Sequence, residues 1–314
     1  MNSIEPRKII KFGNSSYVIS LPISWIKENN LNKGDLVYLQ KNSSNEITIL
    51  PTQNNNHQEK ERKLLINLDG KDFDTYRREI NSAYINGYDL IMLKGKTLKP
   101  KIRQIKRVVE FLTGLSIINH GNEGVLLKDI LSYDKLPPKE LVSRINIILN
   151  TMFNHLKDAL KTKKFNKGYN EIKTLDIEIN KNYILIWKLM KKHNLNTNHN
   201  QEYIYNLWWL AMNQEYIGDE LKRFARGLTK VNFSNKEYRL LLKITEEAEK
   251  SYKEAILALD KKDIKLALNL AKKPLIKTYQ KILGGNKNII LDNLCDRFKT
   301  ISRHIHYIIK IAIY

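Results

Sequence analysis

The sequence has a single cysteine, Cys295, among 314 residues. That excludes an internal disulfide framework and any multi-thiolate zinc site built from one chain. The reducing cytoplasm is the easier fit. No run approaches 18 consecutive apolar residues, since the C-terminal stretch Tyr307 to Tyr314 is short and broken by Lys310. A membrane span is therefore not expected. Met1 to Arg7 holds no basic segment followed by an apolar core, so a signal peptide is not expected either. Residues 62–130 hold no glycine-rich phosphate loop, because Gly95 and Gly121 stand alone. Neither a nucleophile–base pairing nor a cofactor loop is visible, and catalysis is not expected. Acid is scarce relative to base: 33 Asp and Glu against 54 Lys and Arg, a formal charge of +21. Hydrophobic residues, at 42%, are too many for a disordered basic tail.

The charge is unevenly spread. Residues 1–60 carry a net +2, residues 61–130 a net +4 and residues 131–314 a net +15. The chain also divides at two polar stretches. Gln53 to Glu61 lacks apolar periodicity and reads as a linker, and Leu136-Pro137-Pro138 is a breaker before a long helical pattern. Three domains are expected, over 1–52, 62–135 and 136–314.

Residues 7–51 predict β-β-α-β-β. Short β-rich runs lie at Lys8 to Phe12, Tyr17 to Leu21, Leu36 to Gln40 and Glu46 to Leu50. Pro22 opens a two-turn helix. So small a unit cannot bury enough apolar surface alone, which favours an obligate dimer. Lys11-Phe-Gly-Asn-Ser15, Ile19-Ser-Leu-Pro22 and Leu31-Asn-Lys-Gly-Asp35-Leu-Val resemble the swapped-hairpin AbrB-type DNA-binding domain, found in transition-state regulators and in antitoxins of the MazE kind. The resemblance implies a homodimer that presents Arg7, Lys8, Lys11 and the turn Asn14-Ser15-Ser16 to DNA. The cations would neutralise phosphates, and Asn and Ser would hydrogen-bond backbone or bases. The alternative is ordinary strand-edge lysines and turn residues.

Residues 62–130 predict β-α-β-α-β-β, a small α/β sandwich, and offer no chemistry. From Pro138 onward strand signals vanish. Helices are predicted over 138–163, 168–193, 199–228, 235–259, 263–283 and 287–312, two groups of three. Glu215-Tyr-Ile-Gly-Asp219 and Asp296-Arg-Phe-Lys-Thr300 recur at an offset of 81 residues. These helices look like the PhoU family of phosphate-uptake regulators, a pair of three-helix bundles, through the acid-x3-Asp pattern at Glu215 and Asp219 with Asp176-Ile-Glu178 in the preceding helix. The resemblance implies a divalent or iron-type metal at Glu215, Asp219 and Asp176, since acids four apart share one helical face. In the second half Thr300 stands where the pattern has Asp, and no metal is expected there. The alternative at Glu215 and Asp219 is a solvated pair near Lys222 and Arg223.

His304 and His306 are two apart on a helix and cannot chelate together. The aromatics Tyr203, Tyr205, Trp208 and Trp209 read as tertiary core before a base-stacking platform, and Lys161, Lys163, Lys164 and Lys167 as a solvated turn. Together the resemblances imply a dimeric cytoplasmic transcription regulator tied to phosphate uptake or sensing. The alternative is an adaptor without DNA binding that contacts a phosphate transporter or signalling protein, its N-terminal domain serving only to dimerise.

Overall fold

The computed structural model describes residues 5–41, 46–51, 61–96, 98–121, 124–131, 136–195, 201–276 and 289–314. The linker expected from Gln53, the turn at 42–45, the hairpin tip at 122–123, the break at 196–199 and the glycine pair Gly284-Gly285 lie outside them. The chain forms two compact units, Met1–Lys60 and Glu61–Tyr314.

The first unit follows the expected order. Strand β1 (Ile10–Phe12) pairs antiparallel with β2 (Ser16–Val18), helix α1 (Ile23–Glu28) follows Pro22, and β3 (Tyr38–Lys41) pairs antiparallel with β4 (Ile47–Leu50). Gly13 takes a φ of +66° and Gly34 a φ of +100°, in the region that costs a Cβ dearly. Among its described residues none is buried. Ile10, Phe12, Tyr17, Leu39 and Ile47 are each more than 60% exposed. Two hairpins of this length cannot cover one another's apolar faces, so the folded unit leaves hydrophobic surface open.

The second unit starts with a four-stranded sheet. Strands β5 (Lys63–Asn67), β6 (Leu90–Lys94), β7 (Leu115–Gly121) and β8 (Gly124–Asp129) lie in the order β5-β6-β8-β7, with β5 and β6 parallel and the other pairs antiparallel. Helix α2 (Phe73–Ile85) joins the parallel strands, capped by the Asp72 side chain, which accepts from Thr75 N at 2.8 Å. A 3-10 turn (Lys99–Lys101) leads into helix α3 (Ile102–Glu110). Alternation places Ile66, Ile91, Leu93 and Leu127 against Tyr76, Ile80, Tyr84, Ile105 and Val108 in one core. Gly124 adopts a φ of +148°, and a Cβ there would lie 2.5 Å from the Leu93 carbonyl oxygen.

Helices α4 (Pro138–Thr162), α5 (Phe165–Leu195), α6 (Gln201–Leu228), α7 (Asn235–Asp260), α8 (Ile264–Ala271) and α9 (Ile289–Ile313) complete the unit. Helices α4 to α6 pack on one another, as do α7 to α9. The pairs α6–α9 and α4–α7 merge both groups into one continuous core, with Phe224 of α6 edge-on to Phe298 of α9. The chain is thus a small strand-rich unit followed by a mostly helical region. One helix departs from expectation. The pattern predicted 263–283, but α8 ends at Ala271 because Pro274 lacks an N–H and disfavours helical geometry at Lys273. The bend between α4 and α5 is tight, with Lys163 at φ +58°.

The helices and the sheet belong to the same compact unit. Lys188 of α5 donates to the Asp129 carboxylate at the end of β8, with side chains 1% and 4% exposed. Its ammonium also lies 3.8 Å from the centre of the Tyr84 ring, and Lys191 reaches Asn86 at 3.0 Å.

Candidate nucleic-acid interface and carboxylate cluster

In the first unit the register Lys11↔Tyr17 and Phe12↔Ser16 leaves Gly13, Asn14 and Ser15 as the loop of the β1–β2 hairpin. Direct pairing sets Lys11 beside Tyr17 on one face and Ile10, Phe12 and Val18 together on the other. Lys8, Lys11, Asn14, Ser15 and Ser16 are all exposed. The hairpin therefore has a polar tip, a lysine-bearing face and an apolar face. Arg7 differs from the two lysines because its guanidinium is paired with Glu5. A phosphate would have to compete with that carboxylate.

The three acids singled out in the helical half do converge. Asp176 of α5 and Asp219 of α6 both accept from the Lys222 ammonium at 2.6 Å, and Arg223 donates to the other Asp219 oxygen at 3.0 Å. Arg223 also donates to Glu220, buried at the α6–α9 contact, whose second oxygen accepts from Arg297 at 3.3 Å. Glu215 stands beside this network. Burial, with the Asp219 and Asp176 charges, pushes its carboxyl up to about 7 against the pull of Lys222 and Arg223. Asp176 is also raised, chiefly by burial. Lys222 is opposed by burial, but its hydrogen bonds to both aspartates outweigh that and raise its pKa.

This arrangement does not fit a metal ion. An ammonium bridges the carboxylates where a cation would sit, and among the described residues no cluster of three or more His, Cys, Asp or Glu has metal-holding geometry. Asn180, one turn beyond Asp176, donates to the Asp176 backbone carbonyl. In the second half Thr300 turns its hydroxyl to the Asp296 carbonyl. His304 is half-buried, stacked on Tyr216 and bonded to Asn213 at 2.9 Å, and burial lowers its pKa. The aromatic group of α6 spreads into Tyr205, Trp208 and Trp209, with Tyr307 of α9 against Trp209. Cys295 is fully buried, and burial raises its thiol to about 12, far from nucleophilic.

Several polar contacts escaped the sequence. Gln214 of α6 donates to the Tyr252 hydroxyl of α7 at 2.9 Å, which donates to Asn146 of α4 at 2.8 Å. Glu249 is buried between Lys157 and Lys253. Apart from Lys253, one turn from Glu249 on the same helix, these links join helices more than 30 residues apart, and their only sequence trace is a polar residue on an otherwise apolar stripe.

Residues 10–56 match the family model described as "Antidote-toxin recognition MazE, bacterial antitoxin". The match makes the N-terminal unit similar to the MazE and AbrB-like class of small domains. It covers that unit alone. No curated protein and no solved structure matches the chain. Among the described residues no helix is long and apolar enough to cross a membrane.

Proposed function

We propose that the chain is a homodimeric DNA-binding transcription regulator whose helical region is a PhoU-like sensor of phosphate status. The observation that carries the DNA reading is the family match over residues 10–56, laid on a hairpin with exposed Lys8, Lys11, Asn14, Ser15 and Ser16. The absence of any buried residue among the described part of that unit supports dimerisation, since a second copy supplies the missing cover. The two packed groups of three helices and the paired acids at Glu215 and Asp219 support the PhoU-like reading. Docking of a protein partner on the bundle would bias the DNA-binding unit through the chain that joins them. The reading gives the chain no catalytic role.

An electrophoretic shift with the chain's own upstream DNA tests the proposal. A retarded complex that weakens with salt, and weakens further in the Lys8→Gln, Lys11→Gln double variant, is expected. No complex at low salt, or no effect of the double variant, ends the DNA reading. The Arg7–Glu5 pair and the modest +2 charge of residues 1–60 favour the second reading, a dimeric adaptor that meets a phosphate transporter or signalling partner by protein contact.

A further inference from the structure

Seven of the fourteen residues 94–107 are Lys or Arg and none is Asp or Glu. The fold sorts them. Lys101 turns inward, donating to the Leu68 carbonyl at 2.6 Å and the Lys71 carbonyl at 3.2 Å, and lies over the Tyr76 ring. The other six, Lys94, Lys96, Lys99, Arg103, Lys106 and Arg107, are exposed, and none makes an ion pair with a described acid. Burial of Ile105, Val108 and Val109 fixes the orientation of α3, so that Arg103, Lys106 and Arg107 share its outer face. Lys99 extends that stripe by one turn. The nearest acids in sequence are Asp89, which accepts from the Arg62 backbone N–H, and Glu110 at the far end of α3, while Asp69 accepts from the Lys96 backbone N–H.

We infer that this stripe is a second surface of the protein for the phosphate backbone of duplex DNA, separate from the N-terminal hairpins. Like charges at i, i+3 and i+4 repel, and cations in the first turns of a helix oppose its dipole. Glu110, four and three positions beyond Lys106 and Arg107, offsets part of the repulsion at the far end of α3, but no described acid pairs with Lys99 or Arg103, and a polyanion relieves both costs. Lys99 to Arg107 spans about 12 Å at helical rise, the axial length of about three to four phosphates on one strand. Residues 94–107 hold no aromatic side chain, so the stripe has no platform for unstacked bases. It suits sequence-independent contact with an intact duplex. The choice of DNA over other polyanions rests on the proposed function of the first unit.

The test uses the full chain and fluorescence anisotropy on a labelled random-sequence 30-bp duplex, titrated across salt. The Arg103→Gln, Lys106→Gln, Arg107→Gln triple variant is expected to weaken binding at least tenfold at low salt. It should also flatten the slope of log affinity against log salt by up to about 2.7 per chain, 0.9 for each lost contact. A control triple, Lys161→Gln, Lys164→Gln, Lys167→Gln, removes the same charge elsewhere and should leave the slope unchanged. The Arg103→Lys, Arg107→Lys variant keeps the charge and should keep the slope, and unchanged circular dichroism verifies folding. The inference is overturned if the stripe triple binds like wild type, if the control triple loses as much, or if single-stranded RNA of equal length binds as tightly as the duplex. The two readings separate cleanly. Loss in the stripe triple with none in the Lys8→Gln, Lys11→Gln variant sinks the hairpin reading alone, and the reverse sinks the stripe alone.

Discussion

Replacing Glu215 with glutamine should stabilise the protein, and only above a definite pH. The side chain is held beside two carboxylates and is largely buried, and its carboxyl titrates near 7 where an exposed glutamate would titrate at 4.5. Because the folded-state value is raised, the folded protein holds this proton longer than the unfolded chain does. Stability therefore falls as pH rises from about 4.5 through about 7, and the cost is complete above that. The gap corresponds to about 3 kcal/mol at full strength, and ~2 kcal/mol once screening by the exposed part of the side chain is allowed for. Glutamine keeps the shape and never carries the charge. Glu215→Gln should match wild type at pH 4 and gain about 2–3 kcal/mol at pH 8, a rise in melting temperature of roughly 5–10 °C. Urea unfolding followed by circular dichroism at intervals across that range reads the effect. A variant less stable than wild type at pH 8 would show that the ionised Glu215 is held favourably by Lys222 or Arg223, against the raised value that burial and the two aspartates impose. A gain that does not vary with pH would be equally fatal to the reasoning.

Lys222→Met should be among the costliest substitutions in α6, about 3–5 kcal/mol at neutral pH, because it strands the buried Asp176 carboxylate without its cation. Urea unfolding measures it, and an added Asp176→Asn change should recover part of the loss. Gly124→Ala should cost about 2–4 kcal/mol, since its Cβ meets the Leu93 carbonyl at a φ that side chains avoid; a melting temperature equal to wild type would refute the geometry of that strand start. Ser234 and Glu237 form a reciprocal capping box at the start of α7, so Ser234→Ala should cost about 1 kcal/mol in the same unfolding assay.

Much of the backbone was readable from local chemistry. The short apolar runs in Lys63 to Leu68 and Tyr88 to Leu93, the apolar spacing of α3 and the punctuation at Pro22 and Pro138 each act within a few residues, and the elements form within a residue or two of those signals. The exception is also local: Pro274 lies inside the helix predicted over 263–283 and breaks it. The candidate site was readable only in part. The i,i+4 spacing brings Glu215 and Asp219 to one face, and Asp176 arrives from α5 as expected. What the spacing could not show is that Lys222, one turn on, would enter the gap between helices and serve both aspartates. The same blindness hid the basic stripe. A count over residues 61–130 gave only +4, because acids placed elsewhere in that segment cancel a cluster that the fold leaves intact. Lys188 was invisible for a different reason: within Trp187-Lys-Leu-Met-Lys-Lys192 it reads as a solvated lysine, and its partner lies 59 positions earlier.

That partner gives the junction of sheet and helices a mechanical character. Lys188 and Asp129 are both almost fully buried, so any motion that drew α5 away from β8 would separate two opposite charges in a dry interior. Such a contact does not slide. It is closed or it is broken, and breaking it amounts to unfolding. The backbone amides of β8 and of the middle of α5 should then exchange with solvent in one shared event, at the rate of the whole second unit. A displacement of α5 would therefore pass to the sheet as movement of a solid piece, without bending.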